Sequence, residues 1–157
     1  MLKILFIHGS RGEKFQSLLD SLNMILYTFD FSKYSNKISR IIHLIKFLCS
    51  KGENNRFNII ITDDHGYHAF ICFIVASIYG CPFIVRLRGD NWEEAKYEYR
   101  KYNLLLKPFI YFRNFIYIQL GNFALNRSSA IIPVSKFLEN IAIKNLSLPK
   151  EKFFTIH

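Results

Sequence analysis

The chain has 157 residues, half of them hydrophobic, and carries 21 Lys and Arg against 12 Asp and Glu, for a net charge of +9. A chain of this size and apolarity buries about two thirds of its unfolded surface, which excludes an intrinsically disordered protein. Three cysteines, Cys49, Cys72 and Cys81, lie among apolar residues without C-x-x-C or Cys/His spacing, which argues against a disulfide framework or a cysteine metal site and for reduced thiols in a cytoplasmic protein.

Met1 to Ile7 is an apolar run too short for a signal peptide, with no small-residue cleavage site after it. Leu2 to Ile7 instead predicts an interior strand that enters the loop His8-Gly9-Ser10-Arg11-Gly12. Lys14 to Asn23, with Phe15, Leu18, Leu19 and Leu22 at helical spacing, predicts a helix, and Met24 to Phe29 a second strand. Lys37 to Lys51 places Ile38, Ile41, Ile42, Ile45 and Leu48 on one helical face, expected to be the buried one, and Gly52 suits its end. Asn58 to Thr62 predicts a third strand, Tyr67 to Tyr79 a helix and Pro82 to Leu87 a fourth strand.

Tyr67 to Val85 is uncharged and about as long as the ~20 residues that span a bilayer. Gly80-Cys81-Pro82 interrupts it, so a buried helix running into a buried parallel strand is the simpler parse. Asn91 to Asn126 is the longest helical region, and Pro108 is expected to divide it into two helices, because its ring removes a hydrogen-bond donor. Phe109, Phe112, Ile116, Leu120 and Phe123 form an apolar stripe there that reads as core. Ala130 to Pro133 predicts a fifth strand, Ser135 a cap for the helix Lys136 to Asn145, and Lys152 to Ile156 a sixth strand.

Alternating strands and helices joined by right-handed crossovers predict an α/β fold, a doubly wound, mostly parallel, Rossmann-like sheet with helices on both faces. Ligands of such sheets sit outside the carboxyl ends of the strands. Four segments are therefore expected to converge: Gly9 to Gly12, Asp63 to Gly66, Arg88 to Asp90, and Ser135.

The amides of Gly9, Ser10, Arg11 and Gly12 at a helix amino end suit a phosphate or carboxylate, although the spacing is neither G-x-G-x-x-G nor a P-loop and also suits a plain tight turn. Asp64 and His65 offer a general base and hydroxyl-binding groups for an alcohol substrate; the bland alternative is that Asp64 caps a helix and His68 is an ordinary helix histidine. Asp63, Asp64, His65 and His68 match no metal-ligand spacing, so no metal is expected. Arg86 and Arg88 share one side of a strand and are expensive to bury without an anion; a ligand, or an internal ion pair of Arg88 with Asp90 or Glu93, would supply it.

Taken together, these segments resemble the amino-terminal Rossmann-like domain of the family 4 glycosyltransferases, two-domain B-type enzymes that move a sugar from an activated donor to an acceptor. The resemblance spans nearly the whole chain and rests on Thr62-Asp63-Asp64-His65-Gly66-Tyr67-His68-Ala69, similar to the His/Asp-rich loop after strand three; on Gly80-Cys81-Pro82-Phe83-Ile84-Val85-Arg86-Leu87-Arg88-Gly89, similar to the "G-x-P-hydrophobic strand-x-H-G" segment; and on Ala130 to Leu138 with Pro149 and Phe153 to His157. Arg88 stands where the family commonly has histidine. The resemblance implies catalytic roles for Asp64 and His65 and substrate binding by Gly9, Ser10, Arg11, Gly12, Arg88, Asp90 and Ser135. It also implies that residues 1–157 form the acceptor-side domain, that this chain alone binds no cofactor, and that a separately encoded carboxy-terminal domain would bring the nucleotide-sugar donor, the chain being inactive alone. The acceptor would be a glycan or lipid-linked sugar.

The competing class is a non-catalytic remnant or binding module on an anionic membrane, in peripheral contact with its inner face. Arg100, Lys101, Lys107, Arg113 and Arg127 punctuate a stretch with seven aromatics and no Asp or Glu. Nucleic-acid binding would rest on charge alone, since no helix-turn-helix, zinc-finger or RNP-like signature is present, and is not expected.

Overall fold

A computed structural model describes residues 2–9, 17, 19, 21, 24–34, 36–52, 56–63, 65–101 and 106–155. Five strands, β1 (Lys3–His8), β2 (Ile25–Asp30), β3 (Ile59–Thr62), β4 (Phe83–Leu87) and β5 (Ala130–Pro133), form one sheet in the order β2-β1-β3-β4-β5. Every pairing is parallel, as the alternation predicts. Among the described residues five helices can be delimited: α1 (Lys37–Gly52), α2 (Tyr67–Tyr79), α3 (Asn91–Arg100), α4 (Lys107–Arg127) and α5 (Lys136–Leu146).

The chain steps one way from β1 to β2 and the other way through β3, β4 and β5, so right-handed crossovers place the first connection on the opposite face from the rest. The core divides accordingly. Leu5, Ile7, Ile60, Val85, Leu87 and Ile131 pack against residues of all five helices, among them Leu44, Cys72, Trp92, Leu125 and Ala142. Ile4, Phe6 and Ile61, one residue out of phase, point to the other face and meet Leu19. The predicted helix at 14–23 lies largely outside the described residues; Ser17 and Leu19 within it are helical.

Helix ends follow local chemistry. Gly80 closes α2 in the left-handed conformation at φ 63°, which removes any continuous membrane-length helix from Tyr67 to Val85. Among the described residues no helix is long and apolar enough to cross a membrane. Pro108 opens α4, in the first turn where its missing N–H costs nothing.

Three expectations are corrected. Of the sixth strand expected at Lys152–Ile156, Ile156 lies outside the described residues, and the rest shows a 3-10 turn, Lys150–Lys152, and one parallel bridge from Phe153 to Ile131, within which the Phe154 amide donates to the Ile131 carbonyl at 2.9 Å. On α1 the buried side carries Leu44 and Leu48, while Ile38, Ile42 and Ile45 are exposed. On α4 the Phe109 stripe is not core: Phe109 and Phe112 are 68% and 61% exposed, and Ile110, Asn114, Gly121, Ala124 and Leu125 face inward. Helices apolar on both sides carry no unique inward arc, and on α4 Gly121 decides, because its lack of a side chain lets the helix approach His65 and Gly66 in the β3–α2 turn.

Candidate functional site

The register aligns Ile7 with Thr62, Thr62 with Val85, and Leu87 with Pro133, so the residues after β1, β3, β4 and β5 emerge along one rim. A cleft of about 520 Å³ opens there. Gly9, Asp63, His65, Arg88, Gly89 and Val134 contribute to its lining, together with Arg86, Asn91 and Glu94. The predicted convergence of separate segments is therefore present in the fold.

Asp63 is the electrostatic centre of this rim. Its side chain is 0% exposed, and it faces Arg86 (16% exposed) through Oδ1 at 2.9 Å from Nη1 and Arg88 (28% exposed) through Oδ2 at 2.9 Å from Nε. The Arg86 contact is a hydrogen bond; the Arg88 contact is an ion pair without hydrogen-bond geometry. Burial pushes the Asp63 carboxyl above the usual carboxylate pKa, while the guanidinium groups of Arg86 and Arg88 pull it down. The internal counter-ion of Arg88 is thus Asp63, not Asp90 or Glu93. A strand neighbour supplies it: Thr62 pairs with Val85, so the next residues, Asp63 and Arg86, lie side by side. Buried Nη1 of Arg88 has no hydrogen-bond acceptor among the described residues.

His65 is fully buried. Its ring lies 5.2 Å from that of Trp92 and 5.8 Å from that of Tyr117. The Tyr117 hydroxyl donates to the His65 carbonyl at 3.2 Å, with Asn91 Oδ1 at 3.4 Å. Two glycines make this packing possible. Gly66, at φ 76°, passes under the Tyr117 ring, which a Cβ would overlap; a Cβ on Gly121 would overlap His65 and the Gly66 amide. His65 therefore sits beneath the cleft wall in a tightly fixed position.

The remaining predicted residues divide. Gly9 lines the cleft with open space where a side chain would stand. Ser10, Arg11, Gly12 and Asp64 lie outside the described residues. Asp90 and Ser135 stand beside the cleft, engaged as helix caps: Asp90 Oδ1 accepts from the Glu93 amide at 2.9 Å, and Ser135 Oγ from the Leu138 amide at 3.3 Å. His8 stacks on Phe6 at 4.9 Å, and His68 on Phe31 at 3.9 Å. Among the described residues no group of three His, Cys, Asp or Glu side chains is placed to hold a metal.

Sequence reasoning did not single out Asn91 and Glu94. Both also line a second cleft of about 500 Å³, walled by Tyr67, Tyr97, Arg113 and Tyr117, so the two spaces adjoin. The first turn of the helix after an Arg-Gly-Asp rim segment was the available signal, since such residues face the same edge as the loop.

No protein-family model and no curated protein matches the chain. Its fold is similar to that of UDP-GlcNAc 2-epimerase from Methanocaldococcus jannaschii, with a TM-score of 0.61 and 11% identity, over 99% of this chain and 45% of the epimerase. The chain thus spans less than half the length of that enzyme, and at this identity the likeness is one of fold alone: a Rossmann-like α/β sheet.

Proposed function

We propose that this chain is the acceptor-side half of a family 4-type glycosyltransferase, binding a glycan or lipid-linked sugar while a second domain holds the nucleotide-sugar donor. The observation that carries this reading is Arg88: a guanidinium braced by Asp63 at the carboxyl end of a central strand, with a buried N–H that has no acceptor among the described residues, beside Gly9 and Gly89 in the cleft. A planar, charged donor held on one side by a carboxylate is preorganised for a phosphate or sugar hydroxyl on the other. The likeness in fold to a UDP-GlcNAc 2-epimerase supports a sugar-related role.

In this scheme Arg88 orients the acceptor's phosphate or hydroxyl, assisted by amides of Gly9 to Gly12 and by Arg11. Asp64 takes the proton from the acceptor hydroxyl as it attacks the donor's anomeric carbon, where the bond to the nucleotide phosphate breaks. His65, clamped by Trp92 and Tyr117, fixes the loop that carries Asp64. Asp63 acts through the arginines as a positioning residue.

The test mixes the purified chain with a candidate second-half protein, a nucleotide sugar and a short-chain prenyl diphosphate sugar. Transfer that needs both proteins is expected, with Arg88→Ala lowering it about a hundredfold or more. Absence of both transfer and complex formation with every such partner would refute the proposal, as would an Arg88→Ala variant of unchanged activity.

A further inference from the structure

We infer that the outer face of α4 is a docking surface for an anionic lipid leaflet. The inward side of this helix is satisfied by Ile110, Asn114, Gly121, Ala124 and Leu125. Its outward side nevertheless presents Phe109, Phe112, Phe115 and Phe123 to solvent, and the neighbouring α2 exposes Ile74 and Ile78. Phe123 bridges the two helices by edge contacts with Phe70 and Phe73 at 5.9 and 5.5 Å. Four exposed phenylalanines on the outward side of one helix mark an interaction surface, since scattered single residues would need no explanation.

The charges at its margins choose the occupant. Lys107 sits 5.7 Å over the Tyr99 ring at one end, and Arg127 5.0 Å over Phe123 at the other. From Arg100 to Arg127 the sequence has no Asp or Glu. The nearby acidic groups of α3 are engaged elsewhere: Glu98 pairs with Arg113 at 2.6 Å, Glu93 with Lys96 at 3.3 Å, and Glu94 faces the clefts. A second copy docked isologously on this face would set cation against cation. Aromatic rings between cations on a flat helix match the headgroup and acyl boundary of an anionic bilayer, where the rings enter the apolar layer and the cations meet lipid phosphates.

The placement relates this surface to the cleft. Ser129, just beyond the carboxyl end of α4, bonds to Phe83 at the start of β4, whereas Tyr117 reaches the His65 carbonyl at the opposite rim. The ten residues from Tyr117 back to Lys107 therefore carry the helix about 15 Å past the level of that rim. Its aromatic half stands alongside the cleft opening, so a docked leaflet would lie next to the site. The inference concerns a surface on α4 and α2 and does not depend on the sugar-transfer reading; vesicle binding and glycosyl transfer fail or succeed separately.

The experiment is co-sedimentation of the whole chain with vesicles of phosphatidylcholine alone and of phosphatidylcholine doped with phosphatidylglycerol. Wild type is expected to partition onto the anionic vesicles only, and less so as salt rises. Phe109→Ser/Phe112→Ser and Lys107→Gln/Arg127→Gln are each expected to lower that partitioning about tenfold or more. Both pairs leave the inward side of α4 intact, and a melting curve matching wild type accompanies each comparison. Absence of binding, binding indifferent to phosphatidylglycerol, double variants that sediment like wild type, or a dimer in solution that Phe109→Ser/Phe112→Ser dissociates would each overturn the inference.

Discussion

Arg86→Met is the perturbation that isolates the electrostatics of the rim. It keeps the length and apolar stem of the side chain but leaves the Asp63 carboxylate, whose side chain is wholly buried, without the guanidinium that hydrogen-bonds it at 2.9 Å. Removing one partner of a buried ion pair typically costs about 3–5 kcal/mol, but Arg88 remains 2.9 Å from Oδ2 as a second counter-ion, so about 2–3 kcal/mol is expected here. For a domain of this size about 2–4 °C of Tm follows each kcal/mol, so the variant should melt about 4–12 °C lower at pH 7.

The pH dependence distinguishes this cause from lost packing. Burial already raises the Asp63 pKa, opposed by the two arginines, and removing Arg86 raises it further. Raising a carboxyl's folded-state pKa costs stability wherever the unfolded carboxyl is ionised, and the cost disappears as pH falls below the unfolded value, where both states are protonated. Differential scanning fluorimetry from pH 7 down to the lowest pH at which wild type still melts cooperatively should therefore show the two proteins converging. A Tm change under about 2 °C at pH 7, or a deficit that is constant across pH, would refute Asp63–Arg86 as a working buried pair.

Gly121→Ala gains about 1 kcal/mol of helix preference but drives a methyl into His65 and the Gly66 amide, so a net loss of stability is expected; a raised urea midpoint would contradict the close packing under His65. Asp90→Ala should cost about 1 kcal/mol through loss of the α3 cap, read as a lower urea midpoint at unchanged slope. In Glu139→Gln the deficit should be present at neutral pH and vanish in acid: hydrogen bonds from Lys136 and then Thr155 hold the Glu139 carboxyl below its ordinary pKa, a gain that exists above the unfolded pKa and is lost as pH falls through the folded one. Urea midpoints at pH 7 and in acid check it, and a deficit that persists in acid would assign the effect to shape.

The parallel sheet and the shared rim were legible because each strand is a short aliphatic or β-branched run bounded by turn residues, and strands alternating with helices imply parallel crossovers. Ser135 was equally legible, since its capping hydroxyl acts within four residues of chain. What escaped was set by distance in sequence. Asp63 and Arg86 are 23 positions apart and meet only because β3 and β4 pair in one register; Asp90 and Glu93 were nearer along the chain but belong to the start of α3. The inward sides of α1 and α4 escaped for a different reason: both helices are apolar around much of their circumference, so periodicity offers several arcs and packing against neighbours chooses one. Lys152 to Ile156 has strand-like composition, yet among the described residues of this segment only Phe153 finds a ladder partner, on Ile131.

The central claim is that Arg88 and the glycines around it receive an anionic sugar ligand. Titrating isotope-labelled chain with a short-chain prenyl diphosphate sugar, followed by amide NMR, measures this most directly. Saturable shifts at Gly9, Gly89 and Val134 that disappear in Arg88→Ala are predicted; an unperturbed spectrum, or shifts confined to other surfaces and retained in Arg88→Ala, would contradict it.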